Sequence, residues 1–270
     1  MAIITGDQLI AAFAAGNIFP WTKLVPSTNS QGVFFSTWTQ QGNPVAGAIP
    51  TTAAFCTSAT VGAVPFTNPT PPQLTYLGHF TFENYYNSVN QLAVLMKDRL
   101  SHMGGLSGTN TGVQSVNLTV PSGRLISTDL TNAEWFLECY STLGATPQTL
   151  TVTYVNTSSV TNTVVMSIPA SMAAGRVTRI IPTVPSDVIQ SITSCQLSGS
   201  TGTAGNFGFT CARSILQAST VNASIMDIQD IVTTGLAQIA DNSCLWFLIA
   251  ASSDNWGGIG CNGTLKLIQG

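Results

Sequence analysis

From Val113 to the C-terminus, apolar side chains recur at every second position in a series of short runs. The clearest is Gln148-Thr-Leu-Thr-Val-Thr-Tyr-Val, which sets Leu150, Val152 and Tyr154 on one face and threonines on the other. Successive side chains of a strand point to opposite sides, so such a run buries one face only if it is a strand. The same reading predicts strands at Val113–Val120, Glu134–Ser141, Gln148–Asn156, Thr161–Ile168, Arg176–Ile181, Ile189–Leu197, Asn206–Ala212, Ser243–Ala251 and Gly263–Ile268. Small polar loops separate them, such as Asn156-Thr-Ser-Ser and Ser198-Gly-Ser-Thr-Gly-Thr-Ala-Gly. Many short strands at regular spacing predict a mainly β fold, an antiparallel β-sandwich or jelly-roll-like domain.

The N-terminal part reads differently. Asp7 to Ala15 predicts a short helix, with Asp7 as its cap or in its first turn, stopped by Gly16. Asn17 to Pro72 holds most of the prolines and, apart from a strand-like Gly32–Trp38, cannot build a regular sheet. It is nevertheless too apolar for a solvated linker, since it carries Phe19, Trp21, Phe34, Phe35 and Trp38. Two readings fit: an extended arm that orders against another subunit, or a meander over the chain's own core. The division expected is residues 1–72 as helix plus Pro-rich arm, and 73–270 as the β-sandwich domain. Phe82, Tyr86, Val89, Ala93, Met96, Leu100 and Met103 follow steps of four and three, which predicts a helix over Phe82–Met103. Met226–Ala240 is a second helix candidate.

Charge is scarce. Lys, Arg, Asp and Glu make up 7% of the 270 residues, against about 25% in ordinary soluble domains, while 44% are hydrophobic. A dispersed monomer normally keeps itself apart by surface charge. A chain this poor in charge is suited to packing against neighbours, as a homo-oligomer (a trimer among the options) or against other particle proteins. No run of Lys or Arg provides a nucleic-acid footprint. No apolar run is long enough for a membrane helix, and MAIITGDQLIAAFAAG lacks the basic start of a secretion signal. A cytoplasmic origin is the expectation, and the six cysteines are then expected as buried free thiols, although Cys195 with Cys211 or Cys244 with Cys261 could pair.

Few residues offer conventional chemistry. The chain has two histidines, His79 and His102, no GxSxG elbow, no P-loop and no dinucleotide glycine pattern. Both histidines read as structural. Glu134 and Glu138 would share one strand face, which could serve a glycosidase, but reads better as the wet side of an edge strand. Asp227, Asp230 and Asp241 lack the spacing of a Ca²⁺ loop. The reading is therefore of a protein that is not an enzyme, with no cofactor and no metal.

The stretch Asp98-Arg-Leu-Ser-His-Met-Gly-Gly-Leu-Ser107 is followed by Gln114-Ser-Val-Asn117, Thr151-Val-Thr-Tyr-Val-Asn156, Gly235-Leu-Ala-Gln-Ile-Ala-Asp-Asn-Ser-Cys244-Leu-Trp-Phe-Leu and Gly263-Thr-Leu-Lys-Leu-Ile-Gln-Gly270. This series resembles the structural, head-associated virion proteins of tailed bacteriophages, over roughly the last two thirds of the chain. The resemblance implies a particle component assembled in a host bacterial cytoplasm. The role expected is a capsid decoration, cement or minor head protein that binds the major capsid protein, with Phe19, Trp21, Phe34, Phe35 and Trp38 as contact anchors. Two alternatives stand beside it: a tail, collar or fibre-base subunit whose 82–103 helix is a trimer seam, and a carbohydrate- or receptor-binding module using an exposed Trp135 or Trp256.

Overall fold

A closed ring of strands organises the chain. The structure, a computed structural model, describes residues 3–24, 31–84, 91–126, 130–220, 225–251 and 260–270. Its elements in chain order are α1 (Gly6–Ala15), β1 (Asn17–Leu24), β2 (Phe34–Ser36), β3 (Gly42–Asn43), β4 (Ala54–Phe55), β5 (Thr75–Asn84), β6 (Leu92–Leu106), β7 (Gln114–Thr119), β8 (Ala133–Ser141), β9 (Gln148–Asn156), β10 (Thr161–Ile168), β11 (Arg176–Arg179), β12 (Ile189–Leu197), β13 (Asn206–Thr220), β14 (Met226–Gln229), β15 (Gln238–Ile239), β16 (Leu245–Ala251) and β17 (Gly260–Gln269). Every pairing among these strands is antiparallel. Strands β6, β13, β8, β11, β2 and β16 pair in that order, and β16 returns to β6, closing a barrel. One flank carries the sheet β10-β9-β12-β7; another carries β14-β5-β17-β1-β3, with β15 also on β5. The mainly β, antiparallel expectation is met, and closure of the middle sheet adds a barrel to it.

Alternation along the barrel strands feeds three cores. Strand β8 turns Trp135, Leu137 and Cys139 outward, where they meet Leu150, Val152, Tyr154 and Ile192 of the four-stranded sheet. Strand β16 turns Leu245, Phe247 and Ile249 outward onto Trp21, Phe80, Phe82 and Leu265 of the other sheet. The intervening residues, Phe136 and Tyr140 of β8 with Trp246 and Leu248 of β16, point into the barrel, joined by Trp38, Cys56 and Ala63 from the connecting loops. All six cysteines are buried and unpaired.

The N-terminal segment is part of this body. Strand β1 pairs with β17 along its whole length, from Asn17↔Leu267 to Leu24↔Gly260. Trp21 stacks on Phe247 (ring centroids 4.5 Å apart) and Phe80 (5.6 Å), and its indole N–H donates to the Thr81 carbonyl. It lies opposite Gly263, where any side chain would strike the Thr81 carbonyl. In residues 17–72, the described strands β1, β2, β3 and β4 all pair with other strands of this chain. Helix α1 forms as expected, with Asp7 in its first turn and Thr5 as its cap, in a capping box with Gln8.

Both longer helix expectations are corrected. Residues 82–84 end β5 and 92–103 make up most of β6; Tyr86 and Val89 lie outside the described residues. The three–four spacing misleads because β6 is buried on both sides, which erases the period-two signal, and β-bulges against β13 shift its register. Residues 226–240 form β14, a turn and β15. Asp230 accepts the backbone N–H groups of Val232 and Thr233, and Gly235 and Leu236 adopt left-handed backbone, so a helix cannot run through. The expectation of an edge strand at Glu134–Ser141 is also corrected: β8 lies between β13 and β11.

Two outcomes are expected. Trp21→Ala should cost about 3–5 kcal/mol, read from urea unfolding, because its ring contacts leave with the indole. A chain beginning at residue 73 loses β1 to β4 and should not fold, which circular dichroism and a thermal melt would show; a cooperative melt would contradict the integration of β1 into the body.

Candidate functional site

Three successive charged residues, Lys97, Asp98 and Arg99, sit in the middle of β6. All three are buried. Strand alternation sends Lys97 and Arg99 into the barrel and Asp98 outward. Lys97 Nζ meets Glu134 Oε2 at 2.5 Å and donates to Ser214 Oγ at 2.6 Å, while Ser214 donates to the same carboxylate oxygen. Arg99 Nη2 meets Glu138 Oε2 at 2.6 Å, and Tyr140 and Thr210 both donate to that oxygen. Asp98 on the other side pairs with Arg124 at 2.7 Å and accepts from Ser243 and the Cys244 N–H. Each buried charge thus has an opposite charge and further hydrogen bonds, the condition under which burial is tolerated.

The Arg99 guanidinium is also held between two indoles, 4.5 Å from the ring centroids of both Trp38 and Trp246. Planar, delocalised and weakly hydrated, a guanidinium stacks between two rings more readily than an ammonium does. The Trp38 indole N–H donates to the Ala48 carbonyl and its ring meets His102 edge-on. His102 Nδ1 lies 3.0 Å from Arg99 Nη2. Burial, and then the Arg99 charge, lower its pKa to about 2, so His102 is neutral and accepts from the guanidinium. Lys97 is pushed down by burial, opposed by Glu134. Burial opposes ionisation of Glu134 as well, but hydrogen bonds from Lys97 and Ser214 and the nearby cations carry its pKa below the ordinary value. The barrel interior is therefore a set of mutually neutralised charges that fixes β6 against β8.

This geometry settles several sequence expectations. Glu134 and Glu138 do not share an open cleft. Glu138 is enclosed, and Glu134 reaches only the mouth of a cavity of about 500 Å³ where it also meets Arg179 at 3.4 Å. His102 is mid-strand rather than at a helix end. Trp135 is buried with its indole N–H on the Ile189 carbonyl and cannot stack on a sugar; Trp256 lies outside the described residues. Asp227 accepts from the Ser219 N–H and the Gln229 amide, and Asp230 caps its turn. Among the described residues no cluster of three His, Cys, Asp or Glu could hold a metal. No helix among them is long and apolar enough to cross a membrane.

The anchors expected from sequence divide. Trp21, Phe35 and Trp38 are buried within their own chain and hold cores together; Phe19 is half-buried against the Trp21 core, and Phe34 is at the surface. The apolar groups that do face outward lie elsewhere. They include Ile4 and Ile10 on or before α1, Val165 on β10, Ile181 after β11, and Met226, Ile228 and Val232 on β14 and its turn. Sequence reasoning missed these because several lie beside other apolar residues, and the sequence does not show which of two neighbours faces the core. The charges show the converse. Lys23, Lys97, Arg99, Arg124 and Arg213 are buried, Arg176 and Lys266 half-buried, and among the described residues the exposed charged side chains are Asp7, Arg179, Asp230 and Asp241.

The pair geometry makes two predictions. Glu138→Gln should cost about 3–5 kcal/mol in urea unfolding, since it leaves Arg99 buried without its counter-charge, whereas the double replacement Arg99→Met with Glu138→Leu should cost less than either single change. Acid should also destabilise the fold in two windows. His102 takes up its proton only on unfolding, so stability is full above its ordinary pKa of 6.5 and falls below it, by up to about 1.4 kcal/mol per pH unit. The depressed Glu134 adds its loss below its ordinary value of 4.5. His102→Gln should flatten the first window and leave the second, checked by urea midpoints from pH 7 to pH 4.

No protein-family model matches the sequence, and no curated protein is similar to it. Among solved structures, similarity is found to infectious bursal disease virus Gx strain, at 10% identity over 93% of this chain and 80% of that one, with a TM-score of 0.19. A second is the infectious bursal disease virus VP2 subviral particle, at 11% identity over 94% of this chain and 80% of that one, with a TM-score of 0.18. At TM-scores this low the superposition does not establish a shared fold.

Proposed function

We propose that this chain is a structural subunit of a virus particle, of the tailed-bacteriophage kind its sequence resembles, with an architectural role and no reaction of its own. One observation carries the reading: most of the cations are buried, while several large apolar side chains are left at the surface. A free protein resists association by displaying charge, yet here most of the cations are consumed in the interior while Ile4, Ile10, Val165, Ile181, Ile228 and Val232 face solvent. Covering such groups against neighbours is favourable by roughly 25 cal/mol per Å² of apolar area, and many copies binding at once add their contacts. The closed barrel supplies a rigid body on which those patches hold fixed positions. Within a particle, the role that fits best is decoration, cement or minor head protein bound to the major capsid protein. The helix that would have favoured a trimeric tail seam is strand in this fold, which removes the observation that supported a tail position.

The test is the mass of the purified chain by light scattering, alone and mixed with undecorated phage heads. The expected result is association beyond the monomer, or loss of the chain from solution into the head fraction. A chain that stays monomeric at high concentration and ignores heads would contradict the proposal, and one that builds tubes or fibres alone would move it to the tail.

A further inference from the structure

The four-stranded sheet ends at β10, and among the described residues nothing pairs with the outer edge of that strand. β10 pairs with β9 over eight consecutive positions without a register shift. Its sequence, Thr-Asn-Thr-Val-Val-Met-Ser-Ile, contains no charge and no proline. An exposed edge offers alternate N–H and C=O groups to any strand that arrives, and proteins ordinarily guard it with Lys, Pro or a bulge. β10 has none of these guards. Beside it runs a groove of about 370 Å³ that reaches across to β11, with Val165 on one wall and Arg179 and Ile181 on the other. Val165 and Ile181 are 62% and 69% exposed. The groove is therefore an apolar slot next to a free edge, with a cation on its rim.

A matching surface exists on the same chain. β14 is the end strand of the other flanking sheet. It turns Asp227 inward and leaves Met226 and Ile228 exposed, with Val232 and the Asp230 carboxylate in the turn after it. The exposed charges are segregated in the same way. Among the described residues the exposed carboxylates, Asp7, Asp230 and Asp241, belong to the β14-β5-β17 flank and its helix, whereas the exposed cation, Arg179, is at the groove. Asp187, which shares a small cavity with Arg179, already accepts from Tyr154, Asn156 and Asn162.

We propose that β10 and its groove receive β14 and its adjoining turn from a second copy of this chain, so that copies join head to tail. The inference rests on the particle-subunit reading and names the contact through which it would work. Main-chain bonds between the two edges supply affinity, Met226 and Ile228 cover Val165 and Ile181, and Asp230 approaches Arg179. Because the two surfaces differ, the contact is heterologous and generates a ring or an open array rather than a closed pair.

Two single variants, Val165→Cys and Ile228→Cys, test it, since the native thiols are all buried. Mixed under mild oxidation, they are expected to give a disulfide-linked pair, while each alone stays unlinked. Self-linking of Val165→Cys would mean symmetric edge-to-edge pairing and would overturn the proposal. Absence of linkage in a mixture that light scattering shows to be associated would also overturn it, yet leave the particle-subunit reading standing; absence of association altogether would remove both. Val165→Lys supplies the missing guard at an exposed position. It is expected to weaken association by roughly tenfold or more with the melting temperature unchanged, and an unaltered association constant would count against the proposal.

Discussion

The interaction on which the rest depends is the pairing of Arg99 with Glu138 inside the barrel. β6 and β8 are not neighbours; β13 lies between them, so the pair crosses the interior rather than running along a ladder. Around it Thr210 and Tyr140 donate to the carboxylate, two indoles flank the guanidinium and a neutral His102 accepts from it, while Arg99 Nε and the Trp246 indole N–H are buried without a hydrogen-bond partner among the described residues. Such a network stabilises little against an apolar core of the same shape, but is costly to break. Its consequence is register. A slip of β6 by one residue would send Lys97 and Arg99 into the outer cores and Asp98 into the barrel, leaving all three without partners. Bulged strands with little turn chemistry need such a device, and β6 is bulged against β13.

That arrangement explains the composition. Scarce charge is the feature that sets this chain apart, and the structure uses it for internal specification rather than for solubility. What is left outside is Ser, Thr and isolated aliphatic side chains, with carboxylates on one flank and Arg179 on another. A body of that kind has a rigid core, directional patches and little to hold copies apart. Those are features that the proposed role as a particle subunit calls for.

Much of the fold was legible from the pattern of residues. Gln148–Asn156, Thr161–Ile168 and Ile189–Leu197 are strands over the residues expected, because each has one face on a core and one in water. The pattern misleads where that asymmetry is lost. β6 and β8 are buried on both sides, so Glu134 and Glu138 looked like a wet strand face and Lys97 and Arg99 fell into an expected helix, when all four line the barrel. Residues 17–72 looked like an arm because prolines suppress strand signals, yet Trp21 and Trp38 were aromatic for the ordinary reason that they fill cores. The outward apolar residues were not visible in the pattern, since Val165 lies between two core residues, Val164 and Met166, and Ile228 fell on the apolar side of an expected helix.

Everything above depends on the charges being inside, and amine labelling tests this directly. The chain has lysines at 23, 97 and 266; Lys23 and Lys97 are buried and Lys266 is half-buried over the Phe13 ring. Native labelling with an amine-reactive reagent, located by peptide mass spectrometry, is predicted to mark Lys266 and to spare Lys23 and Lys97 until the protein unfolds. Labelling of Lys97 at the rate of a free amine, in protein that is still folded, would mean that the barrel is open and its charges face water, which contradicts a charged interior.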